Sequence, residues 1–144
     1  WVDRFGLDSN FLYRGDDNYK GGDIGMSLGS PADVKTPWEH VRLGDNPSNK
    51  TSIFKSFSEK MTTAKEFTQT AGKVTKVSKE SLVKLEAEGK IKIYTPEKVV
   101  EMMRNSNDKK IIKDANNVEQ IMKKNNEILI EGSIEGKFAK TCNI

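Results

Sequence analysis

The sequence predicts an α+β domain, and three observations support this class. Segments that alternate like strands and segments with helical spacing both occur, but they do not follow one another in regular strand–helix pairs. No phosphate-loop or dinucleotide-binding glycine motif opens a helix. The length of 144 residues and the hydrophobic content of 35% suit one modest core. We therefore predict a single domain over residues 1–144.

The first third of the chain predicts one strand followed by a long loop. Apolar Phe11 and Leu12 lead a strand that ends at Arg14. Glycine, proline, aspartate and asparagine then crowd residues 15–50, apart from a short helical turn predicted at 38–43. Because long loops in compact domains tend to be lids or binding loops, we expect this one to overlie a functional site.

Regular elements dominate from residue 51 onward. Ile53, Phe54 and Phe57 mark a strand that runs into a helix at 59–69, with Ser58 as the expected N-cap and Phe67 on its core-facing side. The remaining patterns predict, in order, a strand at 73–77, a helix at 79–88, a strand at 90–94, a helix opened by Thr95 and Pro96, an extended piece at 111–112, a helix at 116–124, and strands at 127–131 and 133–139.

Composition excludes several classes of site. Cys142 is the only cysteine and His40 the only histidine, so a disulfide framework and a multi-histidine metal site are both excluded. We expect His40 to be a loop residue. No apolar run reaches membrane-spanning length, which predicts no membrane insertion. The chain starts without methionine and without a signal-peptide pattern, and we expect it to be the C-terminal part of a larger protein.

The net charge of +3 arises from a mildly basic second half. A basic surplus suits a nucleic-acid or acidic partner, which leaves open a non-catalytic basic binding module. Interleaved charges such as those at 84–88 usually mark only a solvated helix face. Stacking platforms for nucleic acid require aromatic residues interleaved with basic ones. In this chain aromatic residues make up 8% and are not interleaved with the basic residues.

Arg14 and Gly15 form the first candidate binding pair. An arginine at a strand end can donate paired hydrogen bonds to phosphate oxygens and never loses its charge. Gly15 allows a ligand to approach the backbone closely. An ordinary ion pair between Arg14 and Asp16 or Asp17 is the alternative that the residues leave open.

Two serines form the second candidate element. Strand alternation places Phe54, Ser56 and Ser58 on one face, and Phe57 on the other. Ser58 is accounted for as a helix cap, whereas Ser56 is available to hold a neighbouring carboxylate. An ordinary strand serine is the alternative for Ser56.

Glu127 is the third candidate, because it stands directly before the apolar triplet at 128–130. A carboxylate beside low-dielectric core stabilises developing positive charge better than a solvated one. Glycoside hydrolysis uses this principle for an oxocarbenium-like transition state. Glu131 and Glu135 compete for the role but lie later, each beside a glycine.

The three segments together resemble ADP-ribosyltransferases of the arginine–serine–glutamate class. The matching stretches are Tyr13-Arg14-Gly15, Phe54-Lys55-Ser56-Phe57-Ser58 and Asn126-Glu127-Ile128-Leu129-Ile130. They look most like the toxin domains at the C-termini of large bacterial polymorphic toxins. The middle stretch keeps the family's aromatic residue, both serines and the following helix, with Phe57 in the middle position.

This resemblance implies NAD as the substrate, with no metal. Arg14 would bind the NAD phosphates, Gly15 would contact the nicotinamide amide, and Ser56 would orient Glu127. Glu127 would bind the ribose and stabilise the cation formed when nicotinamide leaves. Phe57 and Ser58 would complete the NAD-binding element.

The resemblance also implies a fold and a biological setting. The family fold is a split, mixed β core of two facing sheets with flanking helices. The protein would be a secreted or delivered effector that acts in the target-cell cytoplasm on a macromolecular acceptor, either protein or nucleic acid. A toxin-producing bacterium would also need a cognate immunity protein.

One departure from the family pattern affects the acceptor. Members that modify arginine carry a second glutamate two residues before the catalytic one, and this chain has Asn125 there. Asparagine cannot accept a proton, so we expect an acceptor other than arginine. If water is the acceptor, the protein is an NAD glycohydrolase. An inactive member of the same fold is a further alternative.

Overall fold

The computed structural model describes residues 10–17, 19–43, 50–68 and 73–142. The strands are β1 (Phe11–Gly15), β2 (Phe54–Ser58), β3 (Val74–Ser78), β4 (Ile91–Tyr94), β5 (Glu127–Gly132) and β6 (Ala139–Cys142). The helices are α1 (Pro37–Leu43), α2 (Met61–Glu66), α3 (Lys79–Ala87), α4 (Pro96–Arg104) and α5 (Lys109–Asn125). The predicted α+β class is confirmed.

The described strands form one sheet in the order β4-β5-β2-β1-β3-β6, and all five pairings are antiparallel. This corrects the expectation of mixed strand directions and two facing sheets. β1 and β2 pair only at Tyr13 and Ser58. The sheet is therefore continuous but opens between these two strands, on the side where Arg14 and Gly15 continue β1.

Apolar side chains cover both faces of the sheet, because alternate strand residues point to opposite sides. One core cluster includes Phe57, Ile128 and Ile130 and packs under α3. The other includes Phe54 and Leu129 and packs under α1, α4 and α5. Both clusters are fully buried, so β2 and β5 are fixed from both sides.

Helix α2 is shorter than predicted and does not begin at Ser58. Its N-cap is Lys60, and no side chain caps it. The Ser58 hydroxyl donates to the Asn125 carbonyl at 2.9 Å and accepts from the Lys60 amide at 3.1 Å, before the helix begins. Phe67, expected on the core face, is 61% exposed because the helix has ended before it. The predicted helix end at 69 lies outside the described residues.

The extended piece predicted at 111–112 is wrong, because both isoleucines lie inside α5. Asp108 caps this helix by accepting a hydrogen bond from the Lys110 amide at 2.9 Å. Ala115, Val118 and Met122 continue its buried stripe at helical spacing. The cap and the stripe together outweigh the strand preference of two adjacent β-branched residues.

The predicted strand at 133–139 is also misplaced. Gly132 turns the chain with a φ of 109°, and Ile134 then bridges Ile24. A 3₁₀ turn at Gly136–Phe138 leads into β6, which pairs with β3 at the far edge of the sheet. Across the described ranges, no helix has the length and apolarity needed to traverse a bilayer.

Candidate active site

Arg14 lies at the opening between β1 and β2 and is 9% exposed. Its Nη1 donates to the Ser56 carbonyl oxygen at 3.0 Å, and Nη2 lies 3.6 Å from a carboxylate oxygen of Asp16. The ion pair considered from the sequence is therefore present, and a second contact accompanies it. The guanidinium bridges two strands where their backbone pairing has stopped.

Gly15 is needed for packing. A Cβ atom at this position would lie 1.9 Å from the Ala64 carbonyl oxygen of α2. That distance is far below van der Waals contact, so only glycine allows α2 to pack this closely against β1. Gly15 forms part of the cleft wall beside Arg14.

Ser56 and Glu127 meet as the sequence predicts. The Ser56 hydroxyl donates to Glu127 Oε2 at 2.7 Å, although the two residues are 71 positions apart. The β2–β5 register places Ser58 opposite Glu127 and Ser56 opposite Leu129, so Ser56 and Glu127 are diagonal neighbours on one face. Glu127 is 8% exposed. Its carboxylate is held at the edge of the core with one oxygen fixed by a hydroxyl.

The junction between α5 and β5 is fixed by two hydrogen bonds from the end of β2. Asn126 closes α5 in the left-handed conformation with φ 49°. Its carbonyl accepts from the Glu59 amide at 3.0 Å, and the Asn125 carbonyl accepts from Ser58. These bonds set where β5 begins, and therefore where the Glu127 side chain projects.

A buried ion pair holds the segment after β2. Lys79 Nζ lies 2.9 Å from Glu59 Oε2, and both side chains are less than a tenth exposed. Lys79 opens α3, so the pair ties that helix to the β2–α2 connection. Burial of two charges in this geometry favours one arrangement of the connection beside the cleft.

A cleft at the opening of the sheet brings these residues together. Its volume is about 100 Å³, and it is open to solvent at its mouth. Arg14, Gly15, Ser56, Phe57, Ser58 and Glu127, the six site residues predicted from the sequence, all belong to its lining. The Phe57 side chain is itself buried in the core cluster under α3, so its part in the cleft is structural.

Other lining residues were not predicted from the sequence. Tyr13, Val41, Ala64 and Phe67 supply the apolar wall, and Asn125 adds a polar group. Exposed Phe67 stands at this wall as an aromatic surface that a planar ring could contact. Because a longer helix was predicted, the position of Phe67 at the helix end was not foreseen.

A second groove adjoins the cleft and shares Arg14 with it. Lys55, Tyr19, Gly25 and Met26 contribute to its lining. Part of the glycine-rich loop thus lines the groove beside Arg14. The groove extends the surface available to a ligand longer than one ring and one sugar.

His40 lies behind the cleft lining, in contact with Ser56, and was also missed by sequence reasoning. It was expected in a loop, but it lies on α1, is 1% exposed and makes a hydrogen bond to Ser56. Pro37, His40 and Val41 are the buried residues of α1 and are spaced three and four apart. That helical spacing is the signal that could have placed His40 inside.

Comparison with known proteins returns no match to a protein-family model, a curated protein or a solved structure. A function must therefore be argued from the site itself. Within the described ranges, no group of three or more histidine, cysteine, aspartate or glutamate side chains is placed to hold a metal ion. The chemistry available in the cleft is that of a guanidinium, hydroxyl groups, a carboxylate and an apolar wall.

Proposed function

We propose that the protein cleaves the nicotinamide–ribose bond of NAD and transfers ADP-ribose to an acceptor. The observation that carries the proposal is the 2.7 Å bond between Ser56 and Glu127, in a cleft that also contains Arg14. A hydroxyl-oriented carboxylate beside an anion-binding guanidinium suits a substrate with a developing cation at one end and phosphates at the other.

The proposed reaction is a substitution at the anomeric carbon of the nicotinamide ribose. The bond from this carbon to the nicotinamide nitrogen breaks, and its electron pair leaves with the ring. Glu127 stabilises the oxocarbenium-like charge that results, because its carboxylate is nearly desolvated. The acceptor forms the new bond to the same carbon and loses a proton.

The two adjoining grooves support NAD rather than a smaller nucleoside. The cleft offers an apolar wall and exposed Phe67 for a nicotinamide ring. Arg14 is shared with the groove that contains Lys55, so a diphosphate that continues into this groove would meet two basic side chains together with the carboxylates of Asp16 and Asp23. The ligand would then pass through the opening between β1 and β2.

Asn125 favours a second candidate activity. It lines the cleft two residues before Glu127, where arginine-modifying members of the resembling class carry a carboxylate. An amide cannot deprotonate a guanidinium acceptor. Water is a sufficient acceptor in this arrangement, and the protein would then be an NAD glycohydrolase.

The biological role is proposed on the resemblance alone. We propose a toxin domain that is delivered into a target cell, modifies a protein or nucleic acid there and is neutralised in its producer by an immunity protein.

The test of the activity is nicotinamide release from NAD by wild type and by Glu127→Gln. We expect release by wild type and a loss of at least about 100-fold in the variant, since the charge is removed while the shape is kept. Glu135→Gln is the matched control, because Glu135 is exposed and lies outside the cleft lining. It should retain wild-type turnover.

Radiolabelled NAD in a cell lysate separates the two candidates. Label transferred to a macromolecule supports the transferase, and release of nicotinamide without label transfer supports the glycohydrolase. No release by wild type would contradict both activities, and binding of nucleic acid would then be measured for the basic-module alternative. Strong labelling of arginine polymers would contradict the role assigned to Asn125.

A further inference from the structure

A buried histidine completes a continuous chain of polar groups behind Glu127. His40 Nδ1 lies 2.7 Å from Ser52 Oγ, and Nε2 lies 2.9 Å from Ser56 Oγ. Ser56 in turn lies 2.7 Å from Glu127 Oε2. The ring also contacts Phe54 edge-on, with 6.0 Å between ring centroids, which limits its rotation.

Hydrogen-bond chemistry assigns the hydrogens along this chain. An ionised carboxylate only accepts, so the Ser56 hydroxyl hydrogen must point at Glu127. The Ser56 oxygen then accepts, and the hydrogen it accepts comes from His40 Nε2. At the other end, the Phe54 amide donates to Ser52 Oγ at 3.1 Å. The Ser52 hydroxyl can therefore give its own hydrogen to His40 Nδ1.

We propose that His40 is a positioning residue for the Ser56–Glu127 pair. A serine hydroxyl rotates to suit its neighbours, and a donor on its oxygen restricts that rotation. His40 supplies this donor only in the tautomer with hydrogen on Nε2, and Ser52 holds that tautomer. The placement of His40 beside Ser56 is argued from its hydrogen bonds alone, whereas its effect on turnover rests on the proposed function.

Because His40 is the only histidine in the chain, its tautomer can be read from one set of signals. The protein is labelled with ¹⁵N-histidine, and long-range ¹⁵N–¹H correlations are recorded at mildly alkaline pH, where a histidine ring is ordinarily neutral. We expect the pattern of a neutral ring with hydrogen on Nε2. Hydrogen on Nδ1 would overturn the proposal, because Ser56 would then donate to His40 and not to Glu127.

Two variants each keep one of the two hydrogen bonds that His40 makes. His40→Gln places an amide near the Nε2 position and keeps a donor for Ser56. His40→Asn places an amide near Nδ1 and keeps the contact with Ser52. Each variant retains one of two hydrogen bonds, so a purely structural role predicts comparable effects of the two on turnover and on thermal stability.

The positioning role predicts a difference in kcat rather than in KM. For nicotinamide release, His40→Asn should lower kcat about tenfold relative to His40→Gln, the size of one net hydrogen bond. KM for NAD should stay within about twofold in both, since neither change touches Arg14. Equal losses of kcat in the two folded variants would overturn the proposal.

The two measurements also separate this inference from the proposed function. If wild type does not turn over NAD, the activity is wrong, but hydrogen on Nε2 still supports the positioning of Ser56 by His40. If NAD is cleaved and the hydrogen is on Nδ1, the activity stands and the positioning role is overturned. The tautomer decides the role of His40 even where a substitution prevents folding.

Discussion

Arg14 makes a contact between two strands and also lines the cleft, although only 9% of it is exposed. Its guanidinium donates to the Ser56 carbonyl and lies beside Asp16, and it carries five donors in a planar fork, so a phosphate would share this fork with both partners. A lysine at this position would place one compact ammonium in the same opening. It could replace the strand contact or make the proposed phosphate contact, but not both with this geometry.

We therefore expect Arg14→Lys to weaken NAD binding without unfolding the protein. Loss of one charge-assisted hydrogen bond changes the binding free energy by about 1.5–3 kcal/mol, which is roughly a 10- to 150-fold change in Kd. Calorimetric titration of NAD in the Glu127→Gln background measures this without turnover.

Arg42→Lys is the matched control for that substitution. Arg42 pairs with Asp114 at 3.3 Å, and its side chain is 60% exposed. Exposed pairs contribute little, so this change should leave Kd unaltered. If Arg14→Lys also leaves Kd unaltered, Arg14 serves only to bridge the strands, and the phosphate site must be placed elsewhere.

Residue-level patterns predicted part of this site and missed another part. Arg14, Ser56 and Glu127 were predictable because each stands in a recognisable local pattern, at a strand end or on a strand face. Their meeting within one cleft could not be read from local pattern, since Ser56 and Glu127 are brought together by strand pairing across 71 positions. His40 was missed because its local signal is a helix of only seven residues.

At the scale of elements, the cleft depends on how closely α2 approaches β1. Gly15 permits that approach, because a Cβ atom there would overlap the Ala64 carbonyl oxygen. We expect Gly15→Ala to destabilise the protein by about 1–3 kcal/mol, the usual cost of overpacking. Denaturant unfolding measures the loss, and an unchanged slope shows that both proteins expose similar surface.

Gly22→Ala is the control for this prediction. A Cβ atom at Gly22 meets nothing within 4 Å, so the same added methyl group should be nearly neutral. If Gly15→Ala unfolds with the wild-type midpoint, α2 must shift without cost, and the tight packing of the β1–α2 contact is contradicted.

Local signals predicted the elements well where caps were unambiguous. Thr95 and Pro96 open α4 as expected, with Thr95 accepting a hydrogen bond from the Lys98 amide. Ser58 was wrongly predicted by the same reasoning, because α2 has Lys60 and not Ser58 at its N-cap, and the Ser58 hydroxyl donates to the Asn125 carbonyl at the end of α5. The same hydroxyl also accepts from the Lys60 amide at 3.1 Å, so it makes a local bond and a tertiary bond together, and the local sequence does not show where the helix begins.

At the scale of the whole molecule, sheet order was the least predictable feature. β5 and β6 are consecutive strands, yet β5 lies between β4 and β2 while β6 lies at the opposite edge beside β3. Such an arrangement is determined by long-range pairing, for which the local sequence carries no direct signal. The α+β class could be predicted because both helical and strand-like spacings of apolar residues occur in the sequence. The opening between β1 and β2 could not be predicted in this way.

Tyr94 links the sheet to the core cluster that also contains Phe54. The two rings lie 5.5 Å apart at 82°, and the Tyr94 hydroxyl donates to Glu131 Oε1 at 2.8 Å. Burial and then the bond to Glu131 raise the pKa of Tyr94 above its ordinary value. The native protein therefore keeps this proton at pH values where the unfolded chain loses it.

The sign of the resulting stability change follows from that difference. Below the unfolded pKa of about 10, the contribution of Tyr94 to the free energy of unfolding is fully present, and this contribution is lost as pH rises above that value. Tyr94→Phe should lower the free energy of unfolding at neutral pH by about 0.5–1.5 kcal/mol through the lost hydrogen bond. Above about pH 10, wild type should lose stability faster than the variant, so the two curves converge.

Urea unfolding of both proteins between about pH 7 and 11 measures this convergence, and lysine titration cancels in the difference because both chains share it. The chain has three tyrosines, so absorbance at the tyrosinate band gives an independent count. Tyr94→Phe should lack the tyrosinate absorbance that wild type gains only as it unfolds. If the free energies of unfolding of wild type and Tyr94→Phe differ by the same amount up to the highest pH, the raised pKa of Tyr94 is contradicted. The Tyr94 proton would then leave the native state without cost to the core beside His40.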